Sequence, residues 1–260
     1  MTDWLFKRKV RGPIIAATLE RYQHSTTSRY VKAEFKKGPL QYLIYLHNKL
    51  LQVQTVDQLF EAISKLGEPH GRRLRSILEH FTHFFAHAIP ELDKTAKTHR
   101  VLSHDEYLLN IGRSYFANLI ERSWEEFDLL TNEVIDDQRC FPDMLGPQRH
   151  GQLYSNLPRT CDKSSVRCGC RAFYNEHIEQ FASICEALVH LSFIDEETRR
   201  RIHSLKEILR KPKRLREKDC WTCGDAVVVV EAPPGSVIFN NNMKHFEPIC
   251  NALTIRVVTY

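Results

Sequence analysis

Along most of the chain, apolar positions recur at helical spacing, and strand-like runs come only near the end. Leu40 to Leu51 is apolar on more than one face, as a buried helix requires. Thr55-Val-Asp-Gln58 forms a capping-box pattern ahead of Leu59, Phe60, Ile63 and Leu66, and Gly67 and Pro69 stop that helix. A further helix is expected from about Gly71 to Ala88, ending before Pro90. Ser103-His-Asp-Glu106 is a second capping box. It opens a long helix with Leu108, Ile111, Tyr115, Leu119, Phe127 and Leu130 as its apolar series. Between Gln138 and Arg159 the pattern breaks: Pro142, Gly146, Pro147, Gly151 and Pro158 predict a loop long enough to be a lid, a binding loop or a linker. Helical spacing resumes with Phe173, Ile178, Phe181, Cys185 and Leu188, then with Ile202, Leu205 and Leu209 opposite a row of arginines, up to Pro212.

The strongest strand signals are Ser236 to Phe239 and Leu253 to Thr259, rich in β-branched and aromatic residues and separated by a short helical piece. Two strands joined by a crossover helix predict an α/β unit, and in such sheets ligands collect at the carboxyl ends of the strands. Asn240, Asn241 and Asn242 sit at one such end. Upstream, Gly224-Asp225-Ala226 opens another apolar segment, so a carboxylate and a row of carboxamides can face one crevice. That chemistry suits a metal or a phosphate. Taken alone, Asp225 is equally suited to be a helix N-cap, which needs no metal. The four valines after Ala226 favour a strand on propensity.

The order GDA, an apolar segment, PPG, a short strand, an Asn-rich turn, then Lys244, His245, Phe246 and Glu247 before a last strand, resembles the C-terminal half of a PIN-like nuclease domain. The resemblance covers about forty residues. It implies a helix, not a strand, from Asp225 to about Glu231. In that family an Asp opening a helix and an Asp or Asn just after the following strand, four residues before a Phe, help hold Mg²⁺ or Mn²⁺ for phosphodiester hydrolysis. Asp225 and Asn242 match these positions. The resemblance further implies RNA as the substrate in preference to DNA, a role as a bacterial toxin or defence effector, and an inhibitor or sensor protein as partner. Such domains begin with a strand ending in Asp, typically inside LDTN, and carry a later Glu on a helix; the LDTN pattern is absent from this chain. The alternative within the same fold is therefore a domain that binds nucleic acid or protein without cleaving.

A hard divalent cation needs at least two carboxylates to orient a phosphate and generate hydroxide. Asp225 supplies one and Asn242 only a neutral carbonyl, so the remaining acids must come from Asp162, Asp136, Asp137 or Glu133. The expected organisation is a mainly α-helical region over 1–100, followed over 101–260 by a PIN-like α/β domain with a small parallel sheet and 138–159 as an internal loop.

Charge adds a candidate surface. From Arg199 to Lys218 there are ten Lys or Arg and two acids, a local +8, whereas Glu121 to Asp137 holds seven acids and one Arg, a local −6. The two segments can attract each other, or the basic one can follow a nucleic-acid backbone through Arg199, Arg200, Arg201, Arg210, Lys211, Lys213 and Arg214. Eight cysteines in a chain with no secretory signal read as reduced thiols and point to the cytoplasm. Cys168 and Cys170 with Cys220 and Cys223 make a CxC…CxxC set that fits a structural Zn²⁺, and a zinc-stabilised helical interaction module is the third functional reading. Reduced core thiols are the other account of these residues. His80, His83 and His87 share one helical face, but the interleaved Phe81, Phe84 and Phe85 favour a packed helix with histidines at its polar edge over a zinc site. No apolar run approaches the ~20 residues that span a bilayer, so no membrane partner is expected.

Overall fold

The computed structural model describes residues 12–65, 77–86, 103–137, 146–157, 169–211 and 215–259. In chain order these form α1 (Gly12–Leu19), β1 (Thr26–Ser28), α2 (Arg29–Phe35), a π-helical turn (Lys36–Leu40), α3 (Gln41–Gln52), α4 (Val56–Ser64), a helical stretch over 77–86 and α5 (His104–Leu130). There follow β2 (Glu133–Ile135), β3 (Arg149–His150), β4 (Leu153–Tyr154), α6 (Gly169–Glu176), α7 (Ile178–Val189), α8 (Glu196–Arg210), α9 (Glu217–Thr222), α10 (Gly224–Val230), β5 (Val237–Phe239), α11 (Met243–Ala252) and β6 (Arg256–Val258). The chain is thus mixed, mostly helical, with small parallel sheets. No helix among the described residues is long and apolar enough to cross a membrane.

Two compact units emerge, and their boundary does not follow residue 100. One takes Met1–Glu20, Glu34–Asn132 and Met144–Pro158; the other takes Arg21–Ala33, Glu133–Asp143 and Arg159–Tyr260. The long helix α5 therefore belongs to the first unit, not to the second as its position after residue 100 led us to expect.

In the first unit α3 and α5 form the main contact. Both predicted caps are present. Thr55 accepts from the Gln58 backbone N–H at 3.2 Å, although Gln58 returns its bond to Gln54 and not to Thr55. Ser103 and Glu106 complete a reciprocal capping box. The buried face of α5 is Leu108, Leu109, Phe116 and Ile120, rotated by one position from the expected series through Ile111, Tyr115 and Leu119, which are only half-buried. Gly112 explains the rotation: a Cβ there would stand 3.2 Å from Leu50 and from Phe84, so the helix turns its side-chain-free position inward to let them approach. A pattern of apolar residues cannot register a missing side chain.

The same unit holds an aromatic cluster of Phe60, Phe81, Phe84, Phe85, Tyr115 and Phe116. His80 is not at a polar edge but buried at 6% exposure. Burial drives its pKa down to about 4, with His83 adding to the fall. His83 meets the Tyr115 hydroxyl at 3.2 Å, and His87 lies outside the described residues. The described part of the 138–159 loop is not structureless. β3 and β4 pair antiparallel about Gly151 at φ +61°, a value that suits glycine. Asn48 holds Tyr154 through both backbone groups, at 2.7 and 3.0 Å, and the Tyr154 hydroxyl donates to Glu121 at 2.6 Å.

The second unit carries the sheets. β1 pairs parallel with β2, Thr26 opposite Glu133 and Ser28 opposite Ile135. β5 pairs parallel with β6, Val237 opposite Arg256 and Phe239 opposite Val258, with α11 as the crossover between them. The sequence predicted β5, α11 and β6; it gave no sign of β1 or β2. The valine run is helical, as α10, and Val227, Val229 and Val230, with Ala226, are buried with Phe181, Ile184, Leu205, Phe246 and Ile249 in one core. Burial on both faces overrides the strand propensity of valine. The apolar series from Phe173 to Leu188 is split at His177 into α6 and α7.

Gly224 fixes the start of α10. A Cβ on it would fall 1.9 Å from the Tyr30 hydroxyl, which instead donates to the Trp221 carbonyl at 2.9 Å. The glycine before Asp225 is therefore required by packing, and it sets where that carboxylate emerges.

Candidate metal centre

The site is assembled from the first turns of α8, α10 and α11. Asp195 is the N-cap of α8, accepting from the Thr198 N–H at 2.7 Å, and this places Glu197 in the first turn and Arg201 one turn further on the same side. Asp225 lies in the first turn of α10, where Cys223 is the N-cap; the carboxylate is not spent on capping. Asn242 is the N-cap residue of α11, and its side chain makes no cap bond. It contacts the Nδ1 of His245, one turn on, at 3.2 Å.

One ligand atom each from Glu197, Asp225 and His245 lies within 4.8 Å of the other two, and this is the group of His, Cys, Asp and Glu among the described residues that could hold a metal ion. His245 Nδ1 stands 3.5 Å from Glu197 Oε1 and 4.0 Å from Asp225 Oδ2, and its Nε2 stands 3.5 Å from Asp195 Oδ2. Lys244 bonds the same Asp195 oxygen at 2.6 Å. Lys244, and after it the N-cap bond from Thr198, hold the Asp195 carboxyl far below the usual carboxylate range. Asp225 moves the other way: burial pushes its carboxyl up, against the pull of Arg201 and His245 and with the help of Glu197.

Arg201 supplies the internal countercharge. Its side chain is 3% exposed; it donates to Asp225 and approaches Glu197 at 3.8 Å. This corrects its expected place on a backbone-binding surface: a guanidinium buried on two carboxylates cannot also lie along a polyanion. Arg199, Arg200, Arg210 and Lys211 are exposed, with Arg200 paired to Glu196 and Arg210 to Glu207; Lys213 and Arg214 lie outside the described residues.

Of the predicted ligands, Asp225 and Asn242 both approach His245. Asp136 follows β2 and pairs with Arg29 instead; Asp137 is exposed beside it, and Glu133 faces His24 at 3.8 Å. None of these three joins the group around Asp225. Asp162 lies outside the described residues. Glu197 was missed because α8 reads as a basic helix, and its first-turn acids look like ordinary dipole partners. His245 stood inside the motif itself, three residues after Asn242, a spacing that puts both on one helical face. Among the cysteines, Cys170 and Cys223 are buried, Cys220 is half-buried and Cys168 lies outside the described residues; the three described thiols do not converge as metal ligands do. They surround Tyr174, whose hydroxyl burial pushes well above its ordinary range.

Compared with known proteins, the chain matches no family model, no curated protein and no solved structure.

The donor set fits a divalent cation. Two carboxylates supply hard oxygen and charge, and the imidazole adds a borderline nitrogen accepted by Mn²⁺ more readily than by Mg²⁺, which keeps to oxygen. Glu197 is 45% exposed, so the cluster opens to solvent on the α8 side.

Proposed function

We propose that the second unit is a divalent-metal-dependent nuclease, with Glu197, Asp225, His245 and the Asn242 carboxamide holding Mn²⁺ or Mg²⁺ and RNA as the substrate. The observation that carries this reading is the convergence of two carboxylates and an imidazole within 4.8 Å, in an α/β unit whose tail resembles PIN-like nucleases at Asp225 and Asn242. A bound divalent ion would supply Lewis acidity and a nucleophilic hydroxide. The chain's own residues do the rest. Asp195 orients the His245 ring through its Nε2, leaving Nδ1 turned to Glu197 and Asp225, and Arg201 keeps Glu197 and Asp225 from repelling each other apart. Exposed Arg199 and Arg200 flank the acids on α8 and can meet phosphate oxygens.

The test is cleavage of end-labelled RNA and single-stranded DNA by the full chain with Mn²⁺, with EDTA, and by Asp225→Asn under the same conditions. Metal-dependent products lost in the variant are expected, with RNA cut faster than DNA. Retained binding without cleavage by the wild type would overturn the hydrolytic reading. It would leave a nucleic-acid-binding domain in which Arg201 permanently balances Asp225, a reading that this ion pair itself favours.

A further inference from the structure

Phe193 is 73% exposed, more than any other large apolar side chain among the described residues, where the next values are 49% and 47%. It stands in the connection between α7 and α8, two residues before the Asp195 cap. Lys244 lies over its ring, 5.7 Å from the centroid, and the same amino group bonds Asp195, which in turn faces the His245 Nε2. The exposed ring, with a cation over one face, is thus three side-chain contacts from the candidate metal ligand His245. Lys244 is itself 60% exposed.

A single exposed apolar ring is ordinary in itself; what sets Phe193 apart is its place beside the candidate site with an ammonium over its ring. Its neighbours in the structure include charged groups, Lys244 over the face and Asp195 along the chain, whereas the core of a protein interface is depleted of charge. An aromatic plane with an adjacent ammonium is the arrangement that single-stranded nucleic acid uses, the base stacking on the ring and its phosphate meeting the cation. We propose that Phe193 and Lys244 form a subsite that stacks one nucleobase of a single strand beside the Glu197–Asp225–His245 cluster. The subsite rests on the nuclease reading for its purpose but not for its existence, since stacking needs no metal. A base must be unpaired to enter it, so the preferred substrate is single-stranded.

Binding of a short fluorescein-labelled oligouridine and of a matched duplex to the full chain, followed by anisotropy in EDTA, separates the two ideas. Phe193→Ala is expected to weaken oligouridine binding by about five- to a hundredfold, the range of one lost base–aromatic stack, and to leave duplex binding unchanged. Phe193→Trp is expected to retain binding, with its indole emission quenched by the oligonucleotide. Equal affinity of wild type and Phe193→Ala would overturn the subsite even if Mn²⁺-dependent cleavage is present. A Phe193→Ala variant that loses only self-association in light scattering would overturn it in favour of a contact between copies. Conversely, Phe193-dependent binding without any cleavage would uphold the subsite while the hydrolytic reading falls. Because the ring is exposed, the urea midpoint of Phe193→Ala should match the wild type and exclude misfolding as the cause.

Discussion

Each unit buries a histidine, His80 at 6% exposure in the first and His245 at 9% in the second, yet their surroundings have opposite chemistry. His80 sits on a stretch with Phe81, Phe84 and Phe85, and burial, with His83 adding to it, drives its pKa to about 4, so at neutral pH it is an uncharged packing group. His245 is faced by three carboxylates, Asp195, Glu197 and Asp225, and by the Asn242 amide. Burial of a histidine therefore says little about its role; what matters is whether acids bury with it. In the first unit polar groups serve the fold, and in the second the fold holds charges together at some cost.

The strongest way to break that contrast is to remove the countercharge. Arg201→Met leaves Asp225 and Glu197 facing each other, and we expect a loss of about 3–5 kcal/mol by urea unfolding, the usual penalty for stranding half of a buried pair. Saturating Mn²⁺ should return part of it, about 2.7 kcal/mol at a hundredfold excess over Kd. An unchanged midpoint would show that the pair contributes nothing.

The next effect separates the units by pH. His80 has a folded pKa below its ordinary value, so the unfolded chain takes up the proton first and stability falls as pH drops from 6.5 towards 4. Over that window the loss is on the order of 3 kcal/mol. His80→Leu removes this ionisation, and its urea midpoint between pH 7 and 5 should fall less than that of the wild type. Parallel pH profiles for the two proteins would contradict the placement of His80.

A smaller effect tests the packing that aims Asp225. Gly224→Ala drives a methyl group into the Tyr30 hydroxyl, and since the ring is buried and its hydroxyl bonded to Trp221, the helix start must shift. We expect a cost of about 1–3 kcal/mol and weaker Mn²⁺ binding by calorimetry.

What could be read in the sequence follows from where the information is local. Caps at Thr55 and Ser103, the strands around Phe239 and Val258, and the crossover α11 are written in a few consecutive residues, and each appears in the structure. The helicity of Val227 to Val230 was legible only through the resemblance, because burial of both faces is a tertiary fact. β1 and β2 are three residues each, and each exists only because of a partner far along the chain, so neither carries a period that identifies it. Asp225 and Asn242 were visible because they sit in one motif, whereas Glu197 reaches the site through the packing of α8, which no spacing in the chain encodes. The inward turn of Gly112 is illegible for the same reason: its cause is Leu50 and Phe84, not its neighbours in sequence.

The finest comparison sets two first-turn glutamates against each other. Glu106 opens α5 and returns a bond to the Ser103 N–H at 2.9 Å; the Ser103 backbone and side chain hold its carboxyl below the ordinary range. Glu197 also lies in the first turn, of α8, but two residues after the Asp195 cap and not three, so it is out of capping-box register and its carboxylate faces His245 and Arg201. Ser103→Ala should therefore cost about 1 kcal/mol of stability and leave Mn²⁺ affinity untouched, as loss of an N-cap does. Glu197→Gln, exposed and outside any cap, should barely move the urea midpoint yet weaken Mn²⁺ binding at least tenfold by calorimetry, since a neutral amide replaces a charged ligand. If Glu197→Gln binds Mn²⁺ as tightly as the wild type, Glu197 belongs with Glu106 as a dipole partner of its helix, and the metal centre loses the ligand that opens it to solvent.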